Sequence, residues 1–167
     1  MDIKTYIRDV DDFPKKGIIF RDITPLLQCP KAYKYVIEQF SDIAFNSDII
    51  AGIESRGFLL ASAVAFHVCN PLVILRKPGK LPYKTYKATY DLEYGSAELH
   101  VHQDIPKGRV CLIDDVLATG GTAFAAASVL KEAGCDIAAC CFLMELDFLH
   151  GRDILKDYTI HSMVRYG

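Results

Sequence analysis

Apolar side chains along this chain recur at two spacings that alternate in order, and the alternation sets the first expectation of its architecture. Ile3, Tyr6, Ile7 and Val10 fall at helical spacing and predict a short first helix, which Pro14 ends. The stretch PKKGIIFRDITPLL, from Pro14 to Leu27, is too rich in proline and glycine for a long helix. It is also too apolar for a solvated linker, so it is expected to pack irregularly on the body. Tyr33, Ile37, Phe40 and Ala44 predict a helix from Lys31 to about Phe45, and Ile49 to Ile53 reads as a buried strand. A helix over Phe58 to Val68 follows, then strands at Leu72 to Leu75 and at Val110 to Asp114. An Ala-rich helix (Ala123 to Ala133) and strands at Ile137 to Met144 and Thr159 to Val164 complete the series. Continuous apolar strands alternating with helices predict an α/β fold, a mostly parallel central sheet flanked by helices.

The alternation breaks between Arg76 and Gly108. Its first part carries Lys77, Lys80, Lys84 and Lys87 with two prolines, a glycine and no clean apolar period, and reads as a long mobile loop. Tyr83, Tyr86, Tyr90 and Tyr94 make it too aromatic for a disordered insertion, so a functional lid over about 77–95 is expected. Its second part alternates, with Ala97, Leu99 and Val101 on one side and Glu98, His100 and His102 on the other, as in a strand with one wet face. The two histidines lie on that face without a further ligand set, so solvation is expected rather than a metal pair.

With 167 residues, 51% apolar side chains and no run of eighteen apolar residues, the chain is expected to form one soluble domain, 1–167, with no membrane partner. A net charge of −2 and no basic face argue against nucleic-acid binding. Six cysteines (Cys29, Cys69, Cys111, Cys135, Cys140 and Cys141) sit mostly in apolar runs without CxxC spacing, which predicts buried free thiols in a reducing cytoplasm. The N-terminal stretch MDIKTYIRDVDDF carries acidic residues and no apolar run, so neither a signal peptide nor an anchor is expected there.

The segment Val110 to Thr122, VCLIDDVLATGGT, carries the most chemistry. An apolar strand runs into two adjacent carboxylates, Asp114 and Asp115. Ala118, Thr119, Gly120, Gly121 and Thr122 then offer backbone N–H groups, two hydroxyls and no bulk at a helix start, the makings of a phosphate cradle. Paired carboxylates would repel a phosphate unless they face a ribose diol or a magnesium ion, so the implied ligand is a phosphorylated sugar. No Gly-Lys-Ser/Thr follows, which disfavours a nucleoside-triphosphatase. A second strand-loop-helix turn, GIESRGF (Gly52 to Phe58), offers Arg56 as a bidentate grip on a diphosphate, with Gly57 letting the backbone approach. Loops at the carboxyl ends of parallel strands line one crevice, so the two turns support each other.

VCLIDDVLATGGT resembles the phosphoribosyl diphosphate (PRPP) signature of the type I phosphoribosyltransferases across all thirteen residues. FPKKGIIFRDITPLL (Phe13 to Leu27), RKPGKLP (Arg76 to Pro82) and TYDLEYG (Thr89 to Gly95) resemble the branch of that family whose acceptor is adenine. The likeness runs from Phe13 to about Arg152.

The resemblance implies a type I phosphoribosyltransferase fold with an N-terminal hood, about residues 1–30, and a flexible lid. It implies transfer of phosphoribosyl from PRPP to N9 of adenine, yielding AMP and diphosphate, in a cytoplasmic homodimer. Phe20 and Leu146 match the apolar faces that hold the purine, and backbone groups near Ile19 and Arg21 would read its amino edge. Asp114 and Asp115 would face the ribose hydroxyls, directly or through Mg2+, which PRPP mainly carries. Ala118 to Thr122 would hold the 5-phosphate, and Arg56, Arg76, Lys77 and Lys80 the diphosphate. Glu93 matches the family's acid/base residue, and Tyr94 with Tyr90 would close over the ribose. A 6-oxopurine transferase (hypoxanthine, guanine or xanthine) would share the PRPP loop but lack the hood. A non-catalytic PRPP-sensing regulator would add a winged helix or a basic face, and a flavodoxin-like module gives no reason for paired aspartates.

Overall fold

A computed structural model of the chain describes residues 1–92 and 95–167, and the side chains outside 90–97. The N-terminus forms a 3-10 turn (Ile3–Tyr6), then β1 (Arg8–Val10), β2 (Phe20–Asp22) and the short helix α1 (Thr24–Gln28). The body follows as α2 (Pro30–Ala44), β3 (Ile49–Ile53), α3 (Gly57–Val68) and β4 (Leu72–Leu75). After β5 (Thr85–Leu92) and β6 (Gly95–His102) come β7 (Arg109–Leu117), α4 (Gly121–Glu132), β8 (Asp136–Leu146) and β9 (Ile160–Tyr166).

Among the described residues β3, β4, β7, β8 and β9 form one sheet in the order β4-β3-β7-β8-β9, and every pairing in it is parallel. Strand alternation divides its side chains between two cores. Ile50, Cys111, Ile113, Cys141 and Leu143 pack with Leu60 and Val64 of α3 and Val36 and Phe40 of α2. Ile49, Ala51, Leu112, Cys140 and Phe142 pack with Ala126, Val129 and Leu130 of α4. Each large side chain so buried contributes about 1.5–3 kcal/mol. The strand order reverses between β3 and β7, and the carboxyl ends of these neighbours open the crevice where ligands bind in such sheets.

Several expectations are corrected. The N-terminal helix is only the Ile3–Tyr6 turn: Ile3 and Ile7 are both buried, but Arg8–Val10 runs extended and pairs antiparallel with Phe20–Asp22. That non-local ladder overrides the local helical spacing. The stretch from Pro14 to Leu27, expected to be irregular, holds β2 and α1, where Asp22 accepts from the Thr24 backbone N–H at 2.9 Å and its hydroxyl at 2.6 Å. The loop expected up to the Ala97 strand is, from Thr85, an antiparallel ribbon in which Tyr86 faces Val101 and Ala88 faces Leu99. Leu99 and Val101 are buried against the core that α4 covers, so the ribbon is anchored along one face. Its other face is less wet than expected, since His100 lies between Thr85 and Glu98, with ring nitrogens 3.2 and 2.6 Å from their oxygens. β7 does not stop at Asp114 but pairs with β8 as far as Leu117, so both aspartates lie inside a strand. Cys69 is exposed and Cys29 half-buried, while the other four thiols are buried; all six are free.

Candidate active site

Gly57 begins α3 against the middle of β7, at Ile113 and Asp114. A Cβ there would stand 2.7 Å from Asp114 Oδ1 and 2.9 Å from the Ile113 carbonyl, so only glycine admits this approach. Asp114 and Asp115 are 8% and 4% exposed, and Asp114 Oδ1 accepts the Asp115 N–H at 2.8 Å. Burial, then the neighbouring Asp115 charge, pushes the Asp114 carboxyl well above its ordinary value. Burial also raises Asp115, with the Arg56 guanidinium pulling against it. Two buried carboxylates, of which Asp115 pairs with Arg56, have capacity for a further positive or hydrogen-donating partner.

Arg56 joins three parts of the site. Its Nη2 lies 2.6 Å from Asp115 Oδ2, its Nη1 donates to the Arg21 carbonyl at 3.1 Å, and its guanidinium lies 4.7 Å from the Phe20 ring centre. Phe13 meets the Phe20 ring edge-on at 5.1 Å. The N-terminal strands are thus tied to the crevice through the residue the sequence singled out there. The Arg21 side chain points elsewhere, pairing with Asp9 and lying 3.9 Å over the Tyr166 ring. Tyr166 pairs in β9 with Leu146 at the end of β8, which brings Leu146 to the same end of the sheet. Ile19 is 48% exposed.

Ala118, Thr119, Gly120 and Thr122 line a cavity of about 100 Å³ together with Asp114. Gly120 takes a left-handed φ of +84° as it caps α4, a conformation that favours glycine. Thr119 and Thr122 expose their side chains while Gly120 and Gly121 are buried, so hydroxyls and helix N–H groups face the opening.

Of the three cations expected beside Arg56, Arg76 is engaged otherwise. Its Nε donates to Glu54 at 3.1 Å, its Nη1 to the Lys80 carbonyl at 3.3 Å, and its backbone bridges His100 of the ribbon. Lys77 gives its backbone N–H to Glu54 at 3.0 Å, and the side chains of Lys77 and Lys80 are exposed. Burial raises the Glu54 carboxyl, but these hydrogen bonds and the Arg76 and Lys80 charges outweigh it and hold it below its ordinary range. Glu54 is a site residue that sequence reasoning missed, although it stands two places before Arg56 in the quoted GIESRGF turn. Glu93 and Tyr94 lie outside the described residues, and of Tyr90 only the backbone is described. Among the described residues no group of three or more His, Cys, Asp or Glu side chains is arranged to hold a metal ion.

A phosphate cradle and paired aspartates at the switch point of a parallel sheet define a domain for phosphorylated sugars, and a family model described as phosphoribosyl transferase domain matches residues 24–163. The adenine phosphoribosyltransferase of Fervidobacterium nodosum is 48% identical over 170 residues, covering 99% of this chain and 100% of that one. The crystal structure of the Thermoanaerobacter pseudethanolicus adenine phosphoribosyltransferase superposes with a TM-score of 0.93 at 43% identity, covering 99% and 98% of the two chains. The Saccharomyces cerevisiae enzyme, complexed with an imino-altritol bisphosphate and adenine, gives 0.89 at 35% identity, covering 95% and 94%. The chain belongs to the phosphoribosyltransferase family, among the adenine phosphoribosyltransferases.

Proposed function

We infer that this chain transfers the 5-phosphoribosyl group of PRPP to N9 of adenine, a purine salvage reaction yielding AMP and diphosphate. The observation that carries this reading is the continuous line of contacts from Phe20 and Arg21 through Arg56 to Asp115 and on to the cradle. One crevice then holds both a base and a sugar phosphate. The yeast relative, crystallised with adenine and a bisphosphate, supports the same pairing of ligands.

In this reading the C1′–diphosphate bond breaks as N9 bonds to C1′, through a ribosyl cation that needs charge placement rather than a protein nucleophile. Ala118 to Thr122 hold the 5-phosphate. Arg56, Lys77 and Lys80 neutralise the leaving diphosphate, while Arg76 acts mainly as the strap that holds their loop to Glu54. Asp114 and Asp115 take the ribose hydroxyls, directly or through magnesium and water. Asp114 and Asp115 are the residues that would hold Mg2+. A pair of carboxylates, with no group of three or more acidic, His or Cys ligands among the described residues, fits an ion that would arrive largely with the substrate rather than sit in a protein cage. When bound it supplies charge neutralisation of the diphosphate.

Phe20 and Leu146 sandwich the purine, and backbone groups of Ile19 and Arg21 read its amino edge. Arg56 uses the Phe20 ring and the Arg21 carbonyl, so base binding requires it to swing toward the diphosphate. Glu93 exchanges the purine proton and Tyr94 closes over the ribose, roles that rest on the LEYG resemblance. Glu93→Gln is expected to lower kcat by about tenfold or more with unchanged melting temperature; a loss under about threefold removes Glu93 from the mechanism.

A homodimer in a reducing cytoplasm completes the reading. Among the described residues no helix is long and apolar enough to cross a membrane. The test is direct. Purified protein with PRPP, magnesium and each of adenine, guanine, hypoxanthine and uracil forms AMP from adenine and little product otherwise; equal turnover of another base overturns the acceptor assignment.

A further inference from the structure

Behind the cradle lies an ion pair to which the reading above assigns no role. Glu145, 3% exposed near the end of β8, accepts two hydrogen bonds from Arg152, Nε to Oε1 at 2.6 Å and Nη2 to Oε2 at 2.7 Å. Arg152 also reaches the Ile160 carbonyl at 3.5 Å and the Ser162 hydroxyl at 3.4 Å. Arg165 stands 3.9 Å from the same carboxylate and 3.0 Å from Asp147. Glu145 is buried while the Arg152 side chain is 39% exposed. Such a pair is poor evidence for stability, because desolvation offsets most of the attraction and replacing both partners by apolar groups is often neutral, although removing one alone costs stability by leaving a buried charge without its main partner. The sheet does not depend on it either, since β8 and β9 already pair through Leu146 and Tyr166.

What the pair does fix is the return from β8. Arg152 leaves the segment between Leu146 and Leu155 and folds back onto the strand that the segment has just left. Its neighbour Gly151 is buried with its backbone directly against the cradle. A Cβ on Gly151 would overlap the Ala118 carbonyl and come within 3.0 Å of Gly120 N, and one on Gly120 would overlap the Gly151 carbonyl. With no side chain between the two backbones, a displacement of one is passed to the other. Glu145 also directly precedes Leu146.

We propose that Glu145 and Arg152 are positioning residues for the binding of a phosphomonoester: the pair clamps Gly151 behind Ala118 to Gly120 and so sets the cradle that grips the 5-phosphate. The ligand side of this inference rests on the phosphoribosyl-transfer reading; the mechanical side does not. Two substitutions probe it, Arg152→Met, which removes the clamp, and Gly151→Ala, which pushes on the cradle with the clamp intact.

Isothermal titration is expected to show ribose 5-phosphate binding weakened about tenfold or more in both variants. Binding of inorganic diphosphate, which uses Arg56 and the Lys77–Lys80 turn, stays within about twofold. KM for PRPP rises with the first while kcat changes little. Hydrogen exchange at the amides of residues 119–123 accelerates in both variants, whatever the substrate. Unchanged ribose 5-phosphate binding and unchanged exchange in a folded Arg152→Met protein, with only a lower melting temperature, would make the pair merely structural and overturn the proposal. Equal weakening of both ligands overturns it too. A wild-type protein that binds no ribose 5-phosphate, with exchange at 119–123 still coupled to Arg152, would instead refute the phosphoribosyl reading and leave the clamp standing.

Discussion

Asp114 shows at the scale of one residue how a site is held against the stability of its fold. Its carboxyl is raised by burial and by Asp115, so the folded protein binds a proton that the unfolded chain releases at an ordinary carboxylate pKa. Stability therefore falls as pH rises through the window from the ordinary value up to the raised one. Asp114→Asn keeps the oxygen that accepts the Asp115 N–H and removes this cost. The variant is expected to melt higher than wild type at neutral pH, with the difference shrinking below the ordinary carboxylate range, while PRPP turnover drops. Thermal melts across pH together with kinetics check both halves; a lower melting temperature at neutral pH contradicts the assignment. Asp22 has the opposite sign. Hydrogen bonds from the Thr24 hydroxyl and N–H, and its Arg8 partner, hold it down at about 2. Its contribution is present at neutral pH and is lost as pH falls through the acid range toward that value. Asp22→Ala should cost about 1 kcal/mol at neutral pH and less near pH 3, read by denaturant unfolding at both.

At the scale of elements, legibility followed how local the cause of each element was. β3 and β4 lie where the apolar runs predicted them, and α2 and α3 within a residue of their expected starts and ends, because strands buried on both faces and helices packed on them write themselves as runs and periods. β1 and most of β5 were illegible because each exists through a partner distant in sequence: Arg8–Val10 is a strand only against Phe20–Asp22. In the ribbon, Tyr86 and Ala88 carry a two-residue period, but the lysines and tyrosines around them hide it until Val101 and Leu99 stand opposite. The site divides in the same way. VCLIDDVLATGGT and Arg56 were legible from residue types at one turn. Glu54, Gly151 and the Glu145–Arg152 pair were not, since their work is done across gaps in sequence that composition does not record.

For the whole molecule, α3 carries apolar residues on all sides, yet its outer face is open: Phe66 is 88% exposed, with Leu59 beside the chain's entry into the helix and Leu72 on edge strand β4 also open. An exposed apolar patch of this kind fits self-association. If the protein is the proposed homodimer and this face forms its interface, Phe66→Glu yields a monomer in sedimentation velocity; a wild-type protein that sediments as a monomer, or a variant that stays dimeric, contradicts this. The thiols offer a second whole-molecule check. Burial pushes Cys140 up to about 12, and Cys111, Cys135 and Cys141 are buried with it. A thiol reagent should modify Cys69 first and those four only on unfolding. Above these stands the choice of base, which the proposed function gives to Phe20, Leu146 and the backbone of Ile19 and Arg21. Adenine and hypoxanthine competing at equal concentration for limiting PRPP should give AMP over IMP by about a hundredfold or more, because a backbone edge built for an amino group leaves its buried polar groups unpaired against an oxo group. Comparable amounts of the two nucleotides would contradict the account.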